Sequence, residues 1–239
     1  MNAPRSKAIA VLGYHKIGTP PPGSLATWFY VPEETFATQL ACLTSADWKV
    51  IDLATFLEGL ETPSTLPDRS VLLTFDDGCH SLTAAALDQL QRFGFPAVVF
   101  VPTDFIGKTN SFDVGVEPEE RICDWGDLQR LEEAGISIQS HSASHQSFST
   151  IDATALDQEL ARSKAALEQG LVRPVQAFAY PFGDNGTDPP ATEALLERAG
   201  YKCAFLYGGG TIMAEPVHRY RIPRIAMGPD TDLEVILEE

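Results

Sequence analysis

Along the chain, short runs of apolar residues alternate with stretches whose apolar positions recur at helical spacing. Ile9–Tyr14, Lys49–Ile51, Val71–Phe75, Val98–Val101, Ile136–Gln139, Val175–Tyr180, Lys202–Leu206 and Ile222–Ile225 read as strands. Between them, Glu33–Ser45, Leu53–Leu60, Ser81–Phe93, Asp127–Ala134, Asp152–Gln169 and Ala191–Ala199 read as helices. Gly94, Gly135 and Gly200 follow three of these helices, and glycine takes the left-handed conformation past a helix end at least cost. Val71–Phe75 is almost uniformly apolar, which suits a strand covered on both faces. Such alternation predicts parallel β/α architecture, because every parallel pair needs a crossover. So many units in succession favour a closed or nearly closed barrel over an open sheet. The expectation is an α/β fold with residues 1–239 as a single domain. Lys108–Arg121 has no clear period and reads as a long loop.

Composition narrows the partners more than the fold. Seventeen Lys and Arg against 33 Asp and Glu give a formal charge of −16. That field repels phosphate backbones and anionic lipid, so nucleic acid and membrane are excluded as expected partners, while neutral or cationic polymers remain open. Cys42, Cys79, Cys123 and Cys203 lie far apart with no CxxC pair, which reads as free thiols. No apolar run approaches the length of a membrane span. Arg5 and Lys7 precede apolar residues, but no credible hydrophobic segment with a cleavage site follows. The expectation is a cytoplasmic chain, or an extracytoplasmic one if the N-terminus is truncated.

Four strands run straight into residues that carry chemistry. Ile9–Tyr14 meets His15, Val71–Phe75 meets Asp76-Asp77-Gly78, Ile136–Gln139 leads to His141-Ser142-Ala143-Ser144-His145, and Val175–Tyr180 meets Pro181-Phe182-Gly183. In parallel β/α folds the C-terminal strand ends form the active face, so these segments are expected to converge. Two adjacent carboxylates behind a buried strand oppose each other's ionisation, and a metal ion resolves that cost. The i, i+4 spacing of His141 and His145 predicts both imidazoles on one face of a helical turn. Two histidines and one aspartate leave coordination positions open, as a catalytic metal site requires. The plainer alternatives are a helix N-cap for the aspartate pair and a surface coincidence for the histidines.

Thr74-Phe75-Asp76-Asp77-Gly78 with His141-Ser142-x-x-His145 resembles the NodB-homology polysaccharide deacetylases, carbohydrate esterase family 4. Tyr180-Pro181-Phe182-Gly183 is similar to a variant of that family's third motif. Gly13-Tyr14-His15 resembles the N-terminal YH motif of the branch that deacetylates poly-N-acetylglucosamine exopolysaccharides. The resemblance implies a deformed (β/α)7-type barrel and a metal-dependent hydrolase that removes N-acetyl groups from an acetylated amino sugar. It implies Asp77, His141 and His145 as ligands of one divalent ion, zinc first, with iron, cobalt or nickel as alternatives. Asp76 would be the general base, His15 the acid for the leaving amine, and the Phe182 N–H part of the oxyanion site. Tyr180, Pro181, Phe182, Trp28 and Trp125 become candidate substrate contacts, with plain packing as the alternative for the two tryptophans.

The chain departs from the family where Phe178-Ala179-Tyr180 supplies no arginine to orient the base. Arg224 is the candidate substitute, with a surface ion pair as its alternative. Trp48 reads as core, Cys79 as a buried spectator and His80 as polar surface. Asp104 and His218 are secondary candidates for the site, and Phe29 accompanies Trp28. An O-acetyl esterase, another amidase on the same metal site, or a carbohydrate-binding relative without activity are the competing functions.

Overall fold

A computed structural model describes residues 7–25, 27–213 and 218–238, so Arg5 lies outside the described residues. In chain order the elements are β1 (Ala8–Tyr14), β2 (Lys16–Ile17), β3 (Tyr30–Val31), α1 (Glu33–Ser45), β4 (Lys49–Val50), α2 (Leu53–Glu61) and β5 (Arg69–Phe75). They continue with α3 (Ala85–Phe93), β6 (Ala97–Val101), α4 (Trp125–Glu133), β7 (Ile136–Ser140), α5 (Ala153–Leu171), β8 (Ala177–Ala179), α6 (Pro189–Ala199), β9 (Cys203–Gly209), β10 (Ile222–Ala226) and α7 (Leu233–Glu238).

The main sheet runs β1-β10-β9-β8-β7-β6-β5 and closes because β5 also pairs with β1. Every pairing in this seven-stranded ring is parallel. The short β4 lies against the first half of β5, at Ser70 and Val71, while β6 takes the second half, at Thr74 and Phe75. Strand alternation then splits the apolar residues into two cores. Ile9, Val11, Leu72, Val98, Phe100 and Phe205 belong to an inner cluster, joined by Phe56 and Leu57 of α2. Ala10, Leu12, Leu73, Phe75 and Val99 belong to an outer one with Phe36 and Leu40 of α1, Leu160 and Leu167 of α5, and Leu196 of α6.

Boundaries shift where tertiary bonds claim backbone groups. The helix expected over Ser81–Phe93 begins only at Ala85, behind a 3-10 turn at His80–Thr83. The reason is that His80 N–H donates to the Arg121 carbonyl and Ser81 N–H to the Glu120 carboxylate. The strand expected over Val175–Tyr180 contracts to Ala177–Ala179. There the Gln139 side chain takes the N–H groups of Gln176 and Ala177 that a ladder would have used. Lys108–Arg121 is the expected long loop, with a 3-10 turn at Ser111–Asp113 and a bridge between Thr109 and Arg121 that ties its ends. Cys42, Cys79, Cys123 and Cys203 form no disulfide with one another. Among the described residues no helix is long and apolar enough to cross a membrane.

Candidate active site

Register brings the chemistry to one rim. Tyr14 pairs with Phe75, Val101 with Ser140, and Ser140 with Phe178, so the residues that follow those strands emerge together. His15, Asp76, Asp77, His141, His145 and Phe182 line one cavity of about 130 Å³. Lys16, Phe29, Asp113, Val116, Glu117 and Tyr207 complete its wall.

At the centre of this site, single donor atoms of Asp77, His141 and His145 lie within 4.8 Å of one another, and all three residues are buried. His141 Nδ1 lies 2.8 Å from the Ala179 carbonyl. Nδ1 must therefore carry the proton, which leaves the Nε2 lone pair free. That Nε2 is 3.5 Å from Asp77 Oδ1, and His145 Nε2 is 3.3 Å from the same oxygen. Neither contact completes a hydrogen bond, so Asp77 Oδ1 is buried with no partner among the described residues. Such an orphaned acceptor, facing the unprotonated Nε2 of His141 and the Nε2 of His145, fits a divalent cation. Burial lowers the pKa of His141 to about 4, against the pull of Asp76 and Asp77, so the imidazole is neutral at neutral pH. Burial alone would raise the Asp77 carboxyl; His145, His15 and His141 overcome it and hold the group well below the usual carboxylate range.

The histidine pair does not sit on a helical turn as its spacing predicts. Residues 141–147 form a loop in which Ser142 and His145 adopt φ of 64° and 57°. Such left-handed conformations are strained for non-glycine residues and persist only when their surroundings impose them. Here the imposing group is Glu159 on α5, whose Oε2 accepts from the N–H groups of Ala143 (3.0 Å) and Ser144 (2.7 Å). Ser142 Oγ accepts from His145 N–H at 3.0 Å, and Arg162 ties Glu159 to Asp104. Phe112, from the long loop, lies over His145 with ring centroids 4.1 Å apart.

Asp76 belongs to a second assembly. Arg224, on β10, points into the barrel and is 0% exposed. It meets Asp76 in a two-pronged pair, Nη1 to Oδ1 at 2.7 Å and Nη2 to Oδ2 at 2.6 Å. Its Nε donates to the Leu206 carbonyl and Nη1 also to Thr74 Oγ1. The surface ion pair considered for Arg224 is thus excluded by position: Ile222 and Arg224 occupy alternate inward positions of a barrel strand. Burial would raise the Asp76 carboxyl, but Arg224, His141 and His15 hold it below the ordinary range. His15 Nε2 is 3.9 Å from Asp76 Oδ2. Its ring packs against Phe29 and Tyr207 at centroid distances of 4.5 and 4.8 Å. Burial lowers the His15 pKa, with Arg224 and Lys16 adding to it and Asp77 and Asp76 opposing.

Other candidates scatter. Tyr180 is wholly buried and its hydroxyl donates to the Tyr220 carbonyl; with Pro181 it is core beneath the site rather than wall. Phe182 alone of that motif faces the cavity, 60% exposed, at φ 59° in the turn that Gly183 N–H closes on Tyr180. Trp28 stands at the edge, bonded to Asp230 and touching the Phe29 ring, outside the cavity lining. Trp125 opens α4 and packs so tightly on Gly170 of α5 that a Cβ there would lie 2.2 Å from its ring. It is a packing residue away from the cavity. Asp104 pairs with Arg162, His218 lies beside Glu193, and neither reaches the cavity. Trp48 is core and Cys79 is buried. His80 is partly exposed beside Asp127.

Five residues escape the motif reading. Lys16 is 1% exposed and pairs with Glu117 at 2.9 Å, which fastens the long loop over the cavity; Thr27 also donates to Glu117. Asp113 lines the cavity with its pKa raised to about 6 by burial and by Asp77. Glu159 and Tyr207 complete the group. The available signal was a polar residue on an apolar face: Glu159 falls among Leu156, Leu160 and Leu167 on the buried side of α5.

The polysaccharide deacetylase family model matches residues 64–204, more than half of the 239. The chain belongs to this family. Relatives of this polysaccharide deacetylase include the poly-beta-1,6-N-acetyl-D-glucosamine N-deacetylase of Staphylococcus epidermidis, 24% identical over 220 residues, 88% of this chain and 72% of that protein. The corresponding Staphylococcus aureus protein is 24% identical over 206 residues, 84% of this chain and 69% of its own. Among solved structures, the deacetylase PplD of Streptococcus pyogenes superposes with a TM-score of 0.83 at 21% identity, and IcaB from Ammonifex degensii with 0.80 at 21%; each comparison covers 97% of both chains. These structures share the closed parallel barrel. The family match contains Asp76, Asp77, His141, His145 and Phe182, whereas His15, Tyr207 and Arg224 lie outside it.

Proposed function

We propose that this polysaccharide deacetylase is a metal-dependent N-deacetylase acting on an N-acetylated amino sugar within a glycan, with poly-β-1,6-N-acetylglucosamine as the first substrate to test. The observation that carries the reading is the buried Asp77/His141/His145 triangle, with its orphaned oxygen, beside an arginine-held carboxylate in one cavity. The names of the curated relatives support the choice of sugar and of an amide rather than an ester. Asp77 Oδ1 and the Nε2 atoms of His141 and His145 would hold one divalent ion, with zinc, iron, cobalt and nickel all compatible with this donor set. Bound there, such an ion supplies Lewis acidity to the attacking water and to the acetamide carbonyl.

The chain's own groups divide the remaining work. Asp76 is the base: its pKa is held below the ordinary carboxylate range, so it is ionised at neutral pH, and Arg224 fixes both of its oxygens. The Phe182 N–H serves the developing oxyanion. His15 gives the leaving nitrogen its proton; a lowered pKa makes the imidazolium a stronger donor, at the cost of a smaller protonated fraction. The YH-type placement of this acid before the family-matched segment supports assignment to the poly-N-acetylglucosamine branch.

The test is metal content of purified protein and of Asp77→Asn, with acetate release from N-acetylglucosamine oligomers measured in parallel. Roughly one divalent ion per chain in the wild type, a loss of at least about 10³-fold in turnover for the variant, and acetate as product are expected. Metal without acetate release from oligomers, but with release from O-acetylated sugars, would replace the amidase by an esterase. Absence of metal after reconstitution would sink the mechanism.

A further inference from the structure

Tyr207 closes the cavity from β9 and is used by nothing described so far. Its hydroxyl is buried and has no hydrogen-bond partner among the described residues. A buried donor left unpaired is a standing cost that native structures rarely carry without a use. The residue is nevertheless held firmly. Its ring meets His15 edge-on at 4.8 Å and lies under the Arg224 guanidinium at 5.5 Å. A Cβ on Gly13 would come within 3.4 Å of Tyr207 Cε2, and one on Gly183 within 2.8 Å of Tyr207 N, so both glycines leave room for it. Burial, with Asp76 and Asp77 nearby, raises the phenol pKa, so the group stays protonated and acts as a hydrogen-bond donor.

The rest of the cavity wall is short of such donors. Asp76, Asp77, Asp113 and Glu117 present carboxylates, and the Lys16 ammonium is engaged by Glu117. An acetamide entering this space brings a carbonyl oxygen that must be met by donors, the more so as it gains charge. Tyr207 spans the two groups that would flank that amide. Its ring abuts His15, which would reach the amide nitrogen, and its backbone seats on Gly183, next to the Phe182 N–H that would reach the oxygen.

We propose that Tyr207 is a further catalytic residue: its hydroxyl donates a hydrogen bond to the carbonyl oxygen of the scissile acetamide and holds it as negative charge develops. No proton is transferred from the phenol, so the reaction's proton balance between Asp76 and His15 is unaltered. The proposal rests on the deacetylase reading for its substrate, and the test separates the two.

Tyr207→Phe keeps the ring that packs on His15 and removes only the hydroxyl. With metal content and thermal midpoint matched to wild type, kcat on N-acetylglucosamine oligomers is expected to fall by about 30–100-fold with KM within about twofold. A similar fall in kcat is expected on 4-nitrophenyl acetate, which has the acyl carbonyl but no sugar. Acetate, titrated into metal-loaded protein as a probe of the acyl oxygen alone, should bind about 10-fold more weakly to the variant. A rise in KM confined to oligomers, with the ester and acetate unaffected, would place the hydroxyl on the sugar and overturn the proposal. Unchanged kinetics and acetate affinity would overturn it outright. If wild type deacetylates nothing but acetate binding still weakens in the variant, the deacetylase reading fails and the contact with the acyl oxygen stands.

Discussion

The two sides of the cavity are built in different ways. The side that carries Asp77, His141 and His145 is assembled from two sequence motifs that both lie inside the family-matched segment, and its strained loop is held by a neighbouring helix. The opposite side is assembled from distant parts of the chain: Asp76 from within that segment, His15 from before it, Tyr207 and Arg224 from after it. Only closure of the barrel, when β1 pairs with both β5 and β10, brings these four together. The first side depends on local backbone geometry and the second on the completed ring. Damage to each should therefore look different.

The sharpest contrast is at Arg224. Arg224→Met leaves the buried Asp76 carboxylate uncompensated, and a loss of about 3–5 kcal/mol in unfolding free energy is expected, with turnover reduced at least about 100-fold. Adding Asp76→Asn should recover much of the stability and none of the activity. Denaturant titration of both single variants and the double variant checks this, and a stability loss that the second change does not relieve would mean that Arg224 acts through packing alone.

On the Asp77 side, pH is the lever. In metal-free protein His141 takes up a proton only below about 4, whereas an unfolded histidine does so near 6.5. Between those values the unfolded chain binds more protons, so stability rises with pH across this window, by on the order of 3 kcal/mol. The contribution is complete above pH ~6.5 and is lost as pH falls to about 4. Unfolding curves across this range, with and without saturating divalent metal, should show the metal competing with the same protons. A flat profile for the metal-free protein would contradict the closed environment of His141.

The smallest effect concerns the clamp. Glu159→Ala frees the amides of Ala143 and Ser144, and metal affinity should fall by about 10–100-fold while the barrel remains folded. Competition with a chelator measures this, and excess metal should restore turnover. The same variant should leave the Asp76–Arg224 pair intact, so a shift in the pH dependence attributed to Asp76 would erase the proposed separation of the two sides.

Much of this was legible beforehand, for identifiable reasons. The strand–helix alternation carries the parallel barrel because a parallel pair demands a crossover, and strand ends in such folds share one rim. The grouping of Asp77, His141 and His145 is readable because a metal site would demand particular residue types. The inference from i, i+4 spacing to a helical turn failed, since two left-handed residues let a loop bring the rings equally close. Trp125 and Tyr180 lie outside the cavity lining, a placement the sequence could not show because an aromatic residue looks the same there whether it meets a ligand or packs on Gly170 or Phe178.

What the amino-acid sequence determined by itself is therefore the kind of fold and the kind of chemistry, since periodicity and ligand type are local properties. Which arginine holds Asp76, which carboxylate clamps the histidine loop and which tyrosine lines the cavity were decided only by tertiary structure. Those roles depend on distances between residues far apart in the chain, 148 positions for Asp76 and Arg224, and such distances exist only once the ring has closed.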